Sequence, residues 1–281
     1  MLEVKLVSAT LLLEIGNTAW KLARFYEYQK PEFLAKGYGV DALFSALEAY
    51  DYDALALASV GAEEQIERIK LFAETSNKVL YQARTTTGFG VQHCYAQVET
   101  LGVDRWLTLL VATSEKTAAI IIDAGTAITL DVIDAHGNHL GGWIAPGMRL
   151  MQEALINKSS RLRVSNDTPN ELLGTATERA IHLGCRASLN GFVEQALLAA
   201  KTAAKTAAKA ELKAHEETEN EAMKVWLTGG DCQYLGNAML DEVASNHTYP
   251  LNELDTAEQR PDLVLEGLAI WFQHESKRKT D

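Results

Sequence analysis

The sequence predicts an α/β fold built from a duplicated domain, and three observations carry that expectation. Leu12-Leu13-Glu14-Ile15-Gly16-Asn17-Thr18-Ala19 is echoed by Ile121-Ile122-Asp123-Ala124-Gly125-Thr126-Ala127. Each copy is an apolar strand, a carboxylate, a glycine turn with a threonine, and a second strand; such self-similarity is the mark of an internal repeat. Apolar runs alternate with stretches of helical spacing along the chain. A late apolar run, Val225–Leu227, leads into a further glycine turn, Thr228-Gly229-Gly230-Asp231.

Taken in order, Thr10–Ile15 and Ala19–Phe25 read as strands joined through Gly16-Asn17-Thr18, whose residue types suit a hairpin turn. Ala54–Val60 reads as a third strand and Glu63–Ala73 as an amphipathic helix, and Val103–Thr113 has helical spacing. Ala118–Asp123 and Ala127–Ile133 are strong strands around Gly125-Thr126. His136-Gly137-Asn138 marks a turn before a strand at His139–Ala145. Pro146-Gly147 then opens a helix, with proline near the first turn, where its missing N–H costs nothing. Ala196–Ala222 is biased towards Ala, Lys and Glu and is expected as a solvated helix or helical hairpin on the surface. Leu263–His274 closes the chain as a helix. The expected division is an N-terminal half, residues 1–115, and a C-terminal half, residues 116–281, the latter carrying a surface insertion near 196–222.

Composition narrows the classes. The 281 residues are 47% hydrophobic and 23% charged, enough apolar chain to bury a substantial core. No basic stretch followed by an apolar run opens the chain, so no signal peptide is expected. The longest apolar run, Ala118–Ile122, is too short to span a bilayer. Cys94, Cys185 and Cys232 are few and widely spaced, which suggests neither a disulfide framework nor a zinc site and fits a reducing cytoplasm. A formal net charge of −12 disfavours nucleic acid and anionic membranes as partners. It leaves room for a nucleotide, which is held by local backbone N–H groups and counter-ions.

The motifs have a shared chemistry. A glycine turn after a buried strand lets backbone N–H groups approach phosphate oxygens with no Cβ in the way. Gly16, Asn17 and Thr18 would donate to the β- and γ-phosphates, with Lys21 as a point charge on the same site. A carboxylate at the strand end suits Mg²⁺ or its water shell. One such copy alone reads best as a structural hairpin with a solvated lysine; with the second copy and Thr228–Asp231, the phosphate reading prevails. Asp231 itself reads best as a helix cap. From Gly102-Val103-Asp104-Arg105 alone, Asp104 reads as an N-cap and Arg105 as a surface residue. The functional alternative is a general base beside a bidentate carboxylate clamp.

Together these residues resemble the type III pantothenate kinases, of the acetate and sugar kinase/Hsc70/actin superfamily. The family pattern D-x-G-N-T-x-x-K matches Glu14–Lys21 apart from its first residue, and G-x-D-R matches Gly102–Arg105. D-x-G-T-A-x-T-x-D matches Asp123–Asp131, G-G-x-I-x-P-G matches Gly141–Gly147, and T-G-G-D matches Thr228–Asp231. The resemblance implies duplicated ribonuclease H-like (actin-like ATPase) domains with mixed sheets flanked by helices. It implies phosphorylation of pantothenate by ATP to 4′-phosphopantothenate, the first step towards coenzyme A. Asp104 would accept the proton of the substrate hydroxyl, and Tyr95, Gly102, Val103, Asp104, Arg105 and Thr177 would bind pantothenate. Glu14, Ile15, Gly16, Asn17, Thr18, Ala19, Trp20, Lys21 and Thr126 would bind ATP with Mg²⁺ or another divalent cation. Asp123 would hold K⁺ or NH₄⁺, and the protein would be a cytoplasmic homodimer with its active site near the subunit interface. Glu14 departs from the family's aspartate by one methylene, which moves the carboxylate by about one bond length. Two other readings stand beside this one: another small-molecule kinase of the superfamily, and a non-catalytic regulatory relative.

Overall fold

A computed structural model describes residues 9–157, 171–212, 223–236 and 254–278. The chain divides into two compact units, one running to Glu115 and resuming at Asp262, the other spanning Lys116–Pro261.

In the first unit, β1 (Thr10–Ile15) and β2 (Trp20–Phe25) form the expected hairpin, closed by Gly16 N–H donating to Ala19 O at 3.0 Å. β3 (Glu32–Gly37) adds antiparallel to β2. α1 (Val40–Glu48) then leads to β4 (Ala54–Ser59), and α2 (Glu63–Thr75) leads to β5 (Val79–Gln82). β4 runs parallel to β1, and β5 runs parallel to β4. The sheet order is β3-β2-β1-β4-β5. β1 is buried on both faces, which is why it reads as an unbroken apolar run and not as an alternation. Leu11, Leu13 and Ile15 join Leu22, Leu55 and Leu57 against Leu43 and Leu47 of α1 and Ile66 and Ile69 of α2. Each such leucine contributes about 2 kcal/mol by leaving water. A long connection carrying a short 3₁₀ turn, Val98–Thr100, precedes α3 (Val103–Ser114).

The second unit repeats this plan. β6 (Ala119–Ala124) and β7 (Ala127–Ile133) are a hairpin, and β8 (His139–Pro146) adds antiparallel to β7. After α4 (Met148–Ile156) and the long α5 (Thr177–Leu212), β9 (Lys224–Thr228) lies parallel to β6 and β10 (Glu258–Gln259) parallel to β9. The order β10-β9-β6-β7-β8 is the first sheet's order with each strand replaced by its counterpart. The duplicated ribonuclease H-like architecture, two mixed sheets flanked by helices, is therefore present. The alternate residues Ile120, Ile122, Ile128, Leu130 and Val132 face one way and pack against Met148 of α4 and Leu189 and Val193 of α5.

Two expectations need amendment. The final helix, α6 (Leu263–Arg278), belongs to the first unit, where Phe272 meets Phe25 and Tyr81 edge-on at 6.3 and 5.0 Å between centroids. The division at residues 1–115 and 116–281 differs from the observed units in that helix. The Ala-rich stretch is not solvated throughout, because Ala196, Leu197 and Ala200 are core residues of the second unit. Alanine packs a helix closely against a sheet as readily as it lines a wet face, and composition does not separate the two. Residues 213–222 of that stretch lie outside the described residues. The short elements β3, α1 and β5 carry patterns too brief to stand out in the sequence.

Candidate active site

Two groups of the nominated residues gather, one in each unit. In the first unit the hairpin register sets Glu14 directly opposite Lys21. Lys21 Nζ lies 3.5 Å from Glu14 Oε2, with the side chains 17% and 19% exposed. At that separation the pair is ionic contact without a well-formed hydrogen bond, and Oε2 is a buried oxygen with no hydrogen-bond partner. Burial pushes the Glu14 carboxyl above the ordinary glutamate range; Lys21 pulls it down, and the charges of Asp104 and Asp262 push it further up. Glu14, Lys21, Asp104 and Asp262 thus share one electrostatic neighbourhood near the carboxyl end of β1. The carboxyl ends of such strands are where ligands of open α/β sheets sit. Asp262 was not singled out from the sequence; its only local signal is a Pro-Asp pair at the start of α6.

The rest of the hairpin divides by depth. Asn17 and Thr18 are exposed at its tip, and Gly16 is partly exposed. Ile15 and Trp20 are core residues, and the Trp20 indole donates to Gly39 O at 3.0 Å. Their side chains therefore face away from any ligand, and whatever Ile15 and Trp20 offer a nucleotide comes from main chain.

The bland readings of Asp104 and Arg105 do not hold. Gly102 is the N-cap of α3 and makes no side-chain capping bond. Asp104 lies inside the first turn, where its Oδ1 accepts from the Arg105 N–H at 2.8 Å. A Cβ on Gly102 would fall 2.6 Å from that same oxygen, so the glycine makes room for the carboxylate. Arg105 is only 6% exposed. Its Nη1 donates to the Tyr95 hydroxyl at 3.1 Å, and its guanidinium lies 5.8 Å from the Tyr95 ring centroid. Cation–π contact of this kind contributes on the order of 1 kcal/mol. A buried guanidinium held to a phenol hydroxyl has its planar fork fixed in direction, and a planar fork is the geometry that grips a carboxylate. Val103 is a core residue of the same turn.

In the second unit Asp123 is the penultimate residue of β6, in register with Thr129 and Thr228. Glycines crowd around it. Gly229 has φ +96°, and a Cβ there would meet Ala124 O at 2.3 Å and Asp123 Oδ1 at 2.4 Å. Gly147 N–H donates to Thr126 O at 2.9 Å, and a Cβ on Gly147 would lie 2.1 Å from Gly125 O. Asp231 N–H donates to Ala124 O at 2.8 Å. Three separate motifs thus meet at the β6–β7 turn with bare backbone, and Gly229 lies against the Asp123 carboxylate. Asp231 stands at the N-cap of a 3₁₀ turn, Cys232–Tyr234, without a side-chain capping bond. The Cys232 thiol donates to Thr228 O at 2.9 Å; burial, then the Asp123 charge, push it up to about 11, so it stays a thiol. Thr177 is the first residue of α5 and is exposed.

Among the described residues no three His, Cys, Asp or Glu side chains form a metal cage. The donors present are single carboxylates with backbone oxygen nearby, a set that suits a hard cation shared with phosphate oxygens. No helix among the described residues is long and apolar enough to cross a membrane.

The model of the type III pantothenate kinase family matches residues 10–199. A type III pantothenate kinase of Pseudomonas aeruginosa is 32% identical over 244 residues, covering 82% of this chain and 85% of that protein. One from Nitrosococcus oceani is 29% identical over 287 residues, covering 96% and 97%. The fold is similar to that of a Baf family transcriptional activator from Campylobacter jejuni, with a TM-score of 0.54 and 21% identity, covering 95% of this chain and 99% of that one.

Proposed function

The chain belongs to the type III pantothenate kinase family, and from that premise we propose that Asp104 and Arg105 are the substrate-side machinery of a pantothenate kinase. The enzyme phosphorylates pantothenate with ATP, at the entry to coenzyme A synthesis. The observation that carries the residue assignment is the buried Arg105, hydrogen-bonded to Tyr95 and directly following the Asp104 carboxylate in the first turn of α3. Arg105 would take the pantothenate carboxylate in its fork, with Tyr95, Gly102 and Val103 beside it; Thr177, in the second unit, is put forward as a substrate residue on the family resemblance alone. Asp104 would accept the proton of the substrate hydroxyl as that oxygen attacks the γ-phosphorus.

On the nucleotide side, the N–H groups at Gly16, Asn17 and Thr18 would donate to phosphate oxygens, with Ile15, Ala19 and Trp20 adding main chain only and Lys21 adding charge. Thr126, in the matching turn of the second unit, would do the same there. Glu14 fits a divalent cation such as Mg²⁺, since its buried Oε2 lacks a hydrogen bond and one carboxylate plus phosphates is a usual Mg²⁺ set. That cation would neutralise charge developing on the phosphates. Asp123, in its glycine cradle, fits K⁺ or NH₄⁺ with carboxylate and backbone carbonyl oxygen. We extend the reading to a cytoplasmic homodimer; the exposed apolar residues Trp143 and Ile144 on edge strand β8 support an interface there.

The test is ADP release by the purified protein with pantothenate, against a panel of sugars and acetate. Pantothenate-dependent release alone is expected. Release with a sugar or acetate instead would point to another kinase of the superfamily, and none at all to a non-catalytic relative.

A further inference from the structure

We infer that Phe89 is a positioning residue for the Tyr95–Arg105 pair, holding both of its members from one left-handed turn. The inference rests on the reading of Arg105 as the partner of the pantothenate carboxylate, and it goes beyond that reading by naming what keeps the guanidinium in place.

Gly88, Phe89 and Gly90 have φ of +105°, +55° and +79° in succession. Glycine takes such angles freely, whereas a side chain as bulky as phenylalanine crowds its own backbone there. A residue in that state persists where its surroundings over-determine it. Here the surroundings are aromatic. The Phe89 ring meets Trp106 edge-to-face, with centroids 5.5 Å apart at 89°, and packs on His274 of α6 at 4.6 Å. The turn is pressed on α3 at a second point, since a Cβ on Gly90 would fall 2.8 Å from Thr113 Cγ2. Its own closure is the Val91 N–H bond to Gly88 O at 3.2 Å, and Val91 is buried.

Two routes lead from Phe89 to the guanidinium. The first runs through the helix. Trp106 is fully buried and follows Arg105 directly, yet its indole N–H has no hydrogen-bond partner among the described residues. Packing alone therefore orients the indole, and the Phe89 ring is part of that packing. The second route runs along the chain. The same connection carries Tyr95, and it is tied back by Thr85 Oγ1 donating to Leu101 O at 2.7 Å and by the His93 Nε2 contact with Thr86 O at 3.0 Å. Phe89 is the point where the connection bearing Tyr95 and the helix bearing Arg105 are keyed to each other. Loss of the ring lets the two slide, and a clamp whose members slide loses grip on a planar carboxylate before it loses anything else.

The experiment uses the full chain with Phe89→Gly, which keeps the left-handed backbone and removes the ring, and Phe89→Tyr, which keeps the ring. For Phe89→Gly, pantothenate KM is expected to rise about tenfold or more while ATP KM stays within about twofold and kcat changes less than the pantothenate KM. Phe89→Tyr is expected to restore near-normal constants. The Phe89→Gly, Arg105→Lys double variant is expected to be less than additive, because both changes act on one contact. A merely structural role would move both KM values together with thermal stability. That result, or an unchanged pantothenate KM, overturns the inference. If Phe89→Gly does not fold, Phe89→Leu, which keeps apolar volume without the aromatic edge, is read by the same outcomes. Absence of pantothenate-dependent ADP release from the unaltered protein would instead overturn the functional reading itself, so the two failures are distinct.

Discussion

Glu14 and Lys21 face each other across the β1–β2 hairpin, and Lys21 does not compensate the burial of the Glu14 carboxylate. The 3.5 Å ion pair lowers the Glu14 proton affinity, but burial outweighs it, and Asp104 and Asp262 add to the burial. Glu14 is therefore an ill-satisfied carboxylate beside the Gly16–Thr18 turn, a position that a cation–nucleotide complex would relieve.

A stability test follows from the sign of that shift. A carboxyl whose folded value lies above its unfolded one binds more protons when folded, so its contribution is full below the unfolded value and is lost as pH rises through the folded one. Glu14→Gln, neutral at every pH, should therefore raise Tm relative to the unaltered protein at pH 7–8, with the gain fading at about pH 4. The same variant should lose most activity while Glu14→Asp is tolerated. An active Gln variant would remove Glu14 from the metal's surroundings.

Asp104→Asn should lower kcat by about 10²–10⁴ with ATP binding largely kept. Because Asn keeps an oxygen that can accept from the Arg105 N–H as Asp104 Oδ1 does, the loss could not be ascribed to the helix start. Turnover near normal in a folded Asn variant, measured at saturating substrates, would sink the proton-acceptor role.

Arg105→Lys keeps the charge and loses the planar fork, so pantothenate KM should rise strongly and ATP KM little. Tyr95→Phe removes only the 3.1 Å hydrogen bond and keeps the ring near the guanidinium, so its effect should be smaller and in the same direction. Equal sensitivity of the two KM values in steady-state kinetics would place Arg105 elsewhere than on the pantothenate carboxylate.

Gly229→Ala should be among the most disruptive single-methyl changes in the second unit. It places a Cβ 2.3 Å from Ala124 O on a backbone of φ +96°. A loss of more than about 2 kcal/mol is expected, read from denaturant midpoints. A variant of normal stability would show that the turn relaxes freely and that Asp123 is not tightly cradled.

Asp123 offers a test by ion size. Oxygen ligands held at set spacings discriminate between cations, whereas screening by salt does not. Activity in KCl or NH₄Cl should exceed that in NaCl at equal ionic strength, and the difference should vanish in Asp123→Asn. Equal rates in sodium and potassium would count against a monovalent site there.

The amino-acid sequence by itself determined the two hairpins, the parallel strands beside them and α3, because each depends on local signals: a buried apolar run, a glycine turn, a period of helical spacing. It also nominated the candidate site residues, since Glu14–Lys21, Gly102–Arg105 and Asp123–Asp131 are contiguous motifs. Only the tertiary structure decided that α6 returns to the first unit, bringing Asp262 beside Glu14 and His274 onto Phe89. It alone turned Arg105 from a surface cation into a buried one hydrogen-bonded to Tyr95, and Ala196, Leu197 and Ala200 from a wet face into core. The physical reason is range. Turn chemistry and periodicity act over a few residues and are written in them, whereas burial and the electrostatic company of a charge are set by whichever distant segment packs there, and no local pattern specifies that segment.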